Sequence, residues 1–235
     1  MKTRGPLLCC ALMALVGILP APGQQTVPQA KDNVPSKTFR VLYFGDSVTA
    51  GSEMSPEQKP FVWPNLVEES SGGKFQPINE GKGGRPTNSV KEFREVLERR
   101  RDGYDILVIA LGANDSRDVS GHCVPNAVRN LREMIRLARE ARPGLPILLV
   151  APTNIRKDAL GPSRPIGDQR DQNLRDLTAA YGPLAAELSC HFVALYGVIP
   201  PESLTKDGVH PDATGNRPIA ARVLAALEQL VQAAP

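Results

Sequence analysis

The sequence predicts an α/β protein, with a five-stranded parallel sheet between two layers of helices in a three-layer sandwich. Five short runs rich in Val, Ile and Leu alternate with longer segments whose apolar residues recur at helical spacing. Most of the short runs lack apolar–polar alternation, which is typical of strands buried on both faces. The 235 residues, 41% hydrophobic and 23% charged, suffice for one sizeable soluble domain.

The predicted strands have ordinary lengths for a globular domain. In chain order they are Phe39–Phe44, Phe75–Asn79, Asp105–Leu111, Ile147–Ala151 and His191–Leu195. A helical segment follows each strand, so successive strands are expected to run parallel. Their carboxyl ends then meet at one edge of the sheet, where proteins of this class place their sites.

The helical segments are defined by apolar residues on one face and charged residues on the other. They cover residues 60–69, 88–101, 126–141, 168–188 and 215–231, of which the first has the weakest pattern. In residues 126–141, Leu131, Ile135 and Ala138 share one face, and Pro143-Gly144 ends the segment.

The N-terminal residues predict a secretory signal peptide. Lys2 and Arg4 precede an apolar run over residues 7–19, and small residues follow, with cleavage expected after Gly23. The alternative is a membrane anchor, but a spanning helix needs about 20 apolar residues. We therefore expect a secreted or periplasmic protein without stable membrane insertion. Residues 24–37 are predicted to be a flexible linker, and 38–235 form the domain.

Net charge and cysteine content indicate which partners and which cross-links to expect. Cleavage removes two of the 28 basic residues and lowers the formal charge from +3 to +1, which argues against a nucleic-acid partner. Cys123 and Cys190 would remain, at opposite ends of strands that span about 17–20 Å. A disulfide needs Cα atoms within about 7 Å, so we expect two free thiols, with a disulfide as the alternative.

Four motifs fall where loops meet at the predicted active edge. They are Gly45-Asp46-Ser47, Asn79–Arg85, Gly112-Ala113-Asn114-Asp115 and Asp207-Gly208-Val209-His210-Pro211. Each alone has an ordinary explanation: Asp46 or Ser47 could cap a helix, the glycines could form a turn or cradle a phosphate, and Asn114 could form an Asx turn. Their occurrence together and in this order indicates a catalytic site.

The residue types in these motifs suit ester hydrolysis. A serine hydroxyl becomes a useful nucleophile only when a base takes its proton, and the base is usually a histidine oriented by a carboxylate. Of the three histidines, His191 opens the last strand at the far end, and His122 follows the third strand and is the alternative base. Only His210 has an acid, Asp207, three residues before it. We predict Ser47 as nucleophile, His210 as base and Asp207 as its orienting acid.

The negative oxygen of a tetrahedral intermediate needs hydrogen-bond donors. The predicted donors are the Ser47 N–H at a helix start, the Gly84 N–H, where glycine permits close approach, and the Asn114 side-chain amide. Asp46 is interpreted as an organiser of the turn.

The four motifs together resemble the blocks of the GDSL-type, or SGNH, hydrolase superfamily. The resemblance runs from about Phe39 to the final helix, with Val48 where leucine or isoleucine often stands and Ala113 where threonine is more usual. It implies a flavodoxin-like sandwich, no metal or other cofactor, a Ser47–His210–Asp207 triad, and Gly84 as the oxyanion glycine.

We expect a secreted serine esterase that acts on short-acyl carboxylic esters, with O-acetyl groups on carbohydrate as one candidate substrate. Short connections leave no evident lipid lid. The alternatives are a lysophospholipase or thioesterase-type acyl hydrolase and, from another class, a non-catalytic carbohydrate-binding module. The candidate substrate-pocket residues are Trp63, Arg85, Asn154 and Arg156.

Overall fold

The computed structural model describes Met1 and residues 37–233. Residues 37–233 belong to one compact unit of the chain, Ser36–Pro235. The predicted signal peptide, apart from Met1, and nearly all of the predicted linker lie outside the described residues. Within the described part, no helix combines the length and apolar character needed to cross a membrane.

The sheet has five parallel strands, as predicted. They are β1 (Phe39–Gly45), β2 (Phe75–Asn79), β3 (Ile106–Ala110), β4 (Ile147–Val150) and β5 (His191–Val193). Their order is β2-β1-β3-β4-β5, which is the flavodoxin-like order. The chain reverses direction across the sheet between β1 and β3, and the crevice at such a point is where ligands bind in this class. The last register pair of β1 and β3 joins Gly45 to Ala110, so the Ser47 and Asn114 motifs leave the sheet side by side.

Helices cover both faces, which confirms the three-layer prediction. They are α1 (Ser47–Ala50), α2 (Trp63–Ser70), α3 (Val90–Arg99), α4 (Cys123–Ala141), α5 (Gly167–Glu187) and α6 (Ala213–Ala233). Helices α3, α4 and α5 pack on one face, and α2 and α6 pack on the other.

Strand β1 shows why the strand sequences do not alternate in polarity. Leu42 and Phe44 face α3–α5, whereas Val41 and Tyr43 face α2 and α6, and all four are fully buried. Phe44 meets Phe93 edge-on with ring centroids 4.9 Å apart. Because apolar side chains fill both faces, β1 holds the loop that follows it in a fixed position.

The two cysteines of the described chain are both free, as predicted. Cys123 begins α4 beyond the carboxyl end of β3, and Cys190 immediately precedes β5. Burial raises the pKa of the Cys123 thiol to about 12, so this thiol is unreactive at neutral pH.

Candidate active site

The first motif makes a tight strand-to-helix turn. Strand β1 ends at Gly45, and Asp46 caps α1 by accepting the Val48 N–H on Oδ1 at 3.0 Å. A Cβ at Gly45 would lie 2.1 Å from Thr49 Oγ1, so only glycine fits this turn. Ser47 is therefore the first helical residue and does not act as the cap. Its half-buried side chain emerges at the carboxyl edge of the sheet.

Ser47, His210 and Asp207 form one hydrogen-bonded chain. Ser47 Oγ lies 2.8 Å from His210 Nε2, and His210 Nδ1 lies 2.5 Å from Asp207 Oδ2. The carboxylate on Nδ1 favours the tautomer that carries its proton there, which leaves the Nε2 lone pair directed at the serine hydroxyl. The structure thus brings together the three residues that the sequence predicts as nucleophile, base and acid.

A short turn forces Asp207 and His210 together. The Thr205 N–H donates to the His210 carbonyl at 2.8 Å, and Gly208 adopts φ +71° between them. A Cβ at Gly208 would lie 2.4 Å from the Arg156 carbonyl oxygen. Glycine is needed here for its left-handed backbone and for this close approach.

Asp207 is held as a carboxylate. Burial raises its pKa, but hydrogen bonds from the His210 ring, the Val209 and His210 N–H groups and the Thr205 hydroxyl outweigh burial and lower the pKa to about 2. The ionised oxygen is therefore available to orient the imidazole throughout the neutral range.

Asp46 has the opposite electrostatic environment. Burial raises its pKa to about 6, although the Val48 N–H and the charges of His210 and Arg85 act in the other direction. Only 4% of the residue is exposed, and its Oδ1 hydrogen bond lies within the turn. Asp46 thus organises the turn, as the sequence analysis predicts.

The loops after β1, β2 and β3 are tied to one another. The Lys82 N–H donates to the Gly45 carbonyl at 3.1 Å, and the Asn114 side-chain amide donates to the Arg85 carbonyl at 3.1 Å. Both oxygens of Asp115 accept the Thr87 N–H, at 3.1 and 3.0 Å. These bonds hold the loops that carry Gly84 and Asn114 beside the end of β1.

Two backbone donors at this edge are unused. Gly84 adopts φ +74° in the exposed loop after β2. Within residues 37–233, neither its N–H nor the Ser47 N–H has a hydrogen-bond acceptor. Free N–H groups beside a nucleophile are what an oxyanion requires.

The Ser47–His210–Asp207 arrangement agrees with the protein family that the sequence matches. The model of the GDSL-like lipase/acylhydrolase family matches residues 43–217, which include Ser47, Asn114 and His210. The chain belongs to this family. The resemblance noted from the sequence is confirmed, and so is the prediction of an esterase rather than a non-catalytic carbohydrate-binding module.

Individual known proteins are also similar to this chain. A GDSL lipase of Mycobacterium tuberculosis is 24% identical over 190 residues, 78% of this chain and 79% of the lipase. A carbohydrate acetylesterase family member from Sinorhizobium meliloti has a TM-score of 0.70 and 24% identity, covering 82% of this chain and 99% of its own. The aryl esterase of M. smegmatis has a TM-score of 0.66 and 20% identity, covering 81% and 99%. These structures share the fold with the GDSL-family chain.

Two predicted pocket residues, Arg85 and Trp63, have side chains that are buried in the fold, and their contact with substrate stays a prediction. Arg85, 4% exposed, stacks on the Phe44 ring with its guanidinium 4.0 Å from the centroid and donates to the carbonyls of Gly45 and Glu80. It also pairs with Glu92 at 3.0 Å. Trp63 is 1% exposed and packs edge-on against Tyr43 with centroids 5.0 Å apart. In the GDSL-family chain both residues support β1.

Asn154 and Arg156 support loops near the site. Asn154 accepts the Ile199 N–H and donates to the Ile199 carbonyl, at 3.1 and 2.9 Å. The Arg156 N–H donates to the Gly208 carbonyl at 2.7 Å, and its guanidinium donates to the carbonyls of Pro201 and Thr205. Arg156 thus braces the turn that carries Asp207 and His210. Contact of either residue with substrate stays a prediction.

The other histidines do not join the triad. His122 is exposed at the start of α4 and pairs with Ser120 Oγ at 3.1 Å. His191 opens β5 at the opposite edge, as predicted.

Two buried polar residues of α5 support the Asn114 turn and were missed from sequence. Arg170 is 2% exposed and donates from Nε to Ser116 Oγ at 3.2 Å, and burial lowers its pKa to about 10. Asn173 donates to the carbonyls of Ser116 and Asp118 at 2.9 and 2.7 Å. Arg170 and Asn173 are spaced three and four residues along the helix towards buried Leu177, so all three lie on the same face of α5. This spacing could have predicted their burial from the sequence.

Glu53 was also missed, because it lies in an exposed turn outside every motif. One of its carboxylate oxygens, a ring nitrogen of His210 and a carboxylate oxygen of Asp207 all lie within 4.8 Å of one another, close enough to share a cation. A metal ion bound through His210 Nδ1 would have to displace the hydrogen bond to Asp207, which is part of the triad.

Proposed function

We propose that the chain is a secreted serine esterase that hydrolyses short-acyl carboxylic esters, acetyl esters of carbohydrates among them. The observation that carries the proposal is the hydrogen-bonded series from Ser47 Oγ to His210 Nε2 at 2.8 Å and from His210 Nδ1 to Asp207 at 2.5 Å. Membership of an acylhydrolase family supports the reaction type.

In the acylation step, His210 Nε2 takes the hydroxyl proton as Ser47 Oγ attacks the ester carbonyl carbon. The carbonyl electron pair moves to oxygen, which becomes negative and accepts hydrogen bonds from the N–H groups of Ser47 and Gly84 and from the Asn114 amide. Asp207 stabilises the imidazolium without taking its proton.

In the second half of the reaction, the intermediate collapses and the carbon–oxygen bond to the alcohol breaks. His210 gives its proton to the leaving alcohol, and Ser47 is left acylated. Water then attacks the acyl carbon, with His210 as base again, and the acid leaves as Ser47 recovers its proton.

The short-acyl assignment draws on two kinds of support. A carbohydrate acetylesterase family member and an aryl esterase share the fold. The connection between β4 and α5 at the active edge contains two short 3₁₀ helices, Lys157–Ala159 and Gly161–Ile166. Arg156 ties the start of that connection to the Gly208 turn, so it is braced rather than arranged as a free lid.

Mutagenesis with a matched control tests the mechanism. Ser47→Ala should abolish turnover of nitrophenyl acetate and prevent labelling by a fluorophosphonate, whose adduct in the wild type should map to Ser47. Ser52→Ala is the control, since Ser52 is an exposed serine in the next turn and lies outside the triad. Unchanged turnover in Ser47→Ala would overturn the proposal.

The acyl length is tested separately, with nitrophenyl esters of increasing chain length. We expect kcat/KM to be highest for acetyl and to fall for longer chains. A maximum at long chains would instead favour the lysophospholipase or thioesterase alternative.

Export is tested by the mass of the mature protein. Expression of the full sequence in a secreting host should yield a chain that begins at Gln24. Retention of residues 1–23 in the exported protein would contradict signal-peptide cleavage.

A further inference from the structure

Glu53 is held in place although it is exposed. It lies in the turn that follows α1, two residues after Gly51, which ends the helix with φ +62°. The Lys59 ammonium donates to the carbonyls of Ala50 and Gly51, at 3.0 and 2.6 Å. On the other side, Met54 is 6% exposed and its N–H donates to the Gly51 carbonyl at 3.1 Å. Both flanks of Glu53 are therefore anchored.

The Glu53 carboxylate stands beside the triad and is not neutralised by an ion pair. An oxygen of this carboxylate lies within 4.8 Å of both a His210 ring nitrogen and an Asp207 oxygen. In the part of the chain from residue 37 to 233, no lysine or arginine makes a salt bridge with it. The rim of the site next to the base thus carries a free negative charge.

We infer that Glu53 lines the subsite of the leaving alcohol and selects against esters whose alcohol part is anionic. The inference rests on the proposed function, in which His210 hands its proton to the departing alcohol oxygen. The alcohol must therefore lie next to His210, and Glu53 is next to His210.

The chemistry of a carboxylate defines what this subsite accepts. A carboxylate accepts hydrogen bonds from hydroxyl groups, so a hydroxyl-rich neutral alcohol such as a sugar is favoured. It attracts a cationic alcohol and repels one that carries a phosphate or a carboxylate. Acyl-coenzyme A thioesters and lysophospholipids with anionic headgroups are accordingly poor substrates.

The size of the effect follows from the exposure of Glu53. Interactions between solvent-exposed charges change an equilibrium by between about 1.5-fold and fivefold. They weaken when salt shortens the Debye length to a few Å, at about 0.5 M sodium chloride. The salt dependence separates an electrostatic role from a structural one.

The test uses three aryl acetates whose phenols carry para substituents of different charge, and it compares variants by ratios in which the intrinsic reactivity of each ester cancels. They are methyl para-acetoxybenzoate (neutral), para-acetoxybenzoate (anionic) and para-acetoxyphenyl trimethylammonium (cationic). In Glu53→Gln, the ratio of kcat/KM for the anionic ester to that for the neutral ester should rise about threefold to fivefold over wild type. The ratio of kcat/KM for the cationic ester to that for the neutral ester should fall. In Glu53→Lys, both the rise of the first ratio and the fall of the second should be larger than in Glu53→Gln.

Glu69→Gln is the matched control, since it removes the same charge from an exposed position at the end of α2. Both ratios should stay at wild-type values in this variant, and the Glu53→Gln change should shrink at high salt. If Glu53→Gln leaves both ratios at wild-type values while Ser47→Ala abolishes turnover, this inference fails and the esterase proposal stands. If Ser47→Ala retains turnover, the proposed function itself fails.

Discussion

The side-chain amide of Asn114 donates to the backbone carbonyl of Arg85 at 3.1 Å. An amide NH₂ has two donors, so this bond leaves one N–H for an oxyanion. The bond also joins the loop after β3 to the loop after β2, which carries Gly84. Asn114 thus keeps one free N–H at the active edge and ties down the loop that carries Gly84.

The first prediction concerns this amide. Asn114→Ala should lower kcat on nitrophenyl acetate by about 100-fold to 1,000-fold, because an oxyanion donor is lost. Asn114→Asp should be similarly impaired, since a carboxylate cannot donate. Asn88→Ala, an exposed asparagine on the neighbouring loop, should retain wild-type kcat. A near-normal kcat in Asn114→Ala would remove the residue from the oxyanion hole.

The second prediction concerns the acid stability contributed by Asp207. Its folded pKa is about 2, below the usual 3.8, so its contribution is present above about pH 4 and is lost as the pH falls towards 2. Thr205→Val removes one donor to the carboxylate and should cost about 1 kcal/mol at pH 5. The free energies of unfolding of the wild type and Thr205→Val, measured with urea, should become equal near pH 2. Thr205→Ser keeps the hydroxyl and should match the wild type at every pH. A gap that is the same at pH 2 and pH 5 would contradict this account.

The third prediction concerns Asp46, where the sign is reversed. Its folded pKa is about 6, above the usual 3.8, so its stabilising contribution is complete below about pH 4 and is lost as the pH rises through 6. The loss should be about 3 kcal/mol. Asp46→Asn keeps an acceptor for the Val48 N–H and removes the charge. The free energy of unfolding of this variant should therefore increase relative to that of the wild type as the pH rises from 4 to 7. Parallel thermal unfolding curves across this range would show that Asp46 does not titrate as described.

The fourth prediction separates a structural arginine from a substrate contact. Arg85→Met removes a buried guanidinium that contacts Gly45, Glu80 and Glu92, and should lower the free energy of unfolding by about 3–5 kcal/mol. Lys82→Met removes an exposed partner of the same Glu92 and should cost less than about 1 kcal/mol. Chemical denaturation measures both. If Arg85→Met instead left stability intact and raised KM alone, the pocket interpretation would return.

Much of the fold follows from local sequence patterns. Both faces of β1 are buried, so the run from Val41 to Phe44 predicts a strand without any tertiary information. Helices α4 and α6 start two to three residues before their predicted limits, because the apolar stripe fades in the first turn and does not define the start. The sequence also predicts that Asp207 and His210 lie close together. They are three positions apart with Gly208 between them, which is the spacing of a single turn.

The roles of Arg85 and Trp63 could not be read in the same way. Their partners, the Gly45 carbonyl and the Tyr43 ring, lie 40 and 20 residues away in the chain, and no periodicity encodes such contacts. Position near the active edge does not distinguish a side chain that faces the solvent from one that turns inward. Glu53 was missed for the converse reason, since its exposed turn carries no pattern and only the folded chain brings it to His210.

The serine begins the helix that follows the first strand, and its histidine lies just before the last helix, 163 residues later. During translation, the nucleophile leaves the ribosome long before the base that activates it. A nascent chain, or any fragment truncated before residue 210, therefore contains Ser47 but lacks its hydrogen-bond partner His210. The Ser47–His210 pair therefore cannot form before residue 210 has been synthesised and has folded against the end of β1.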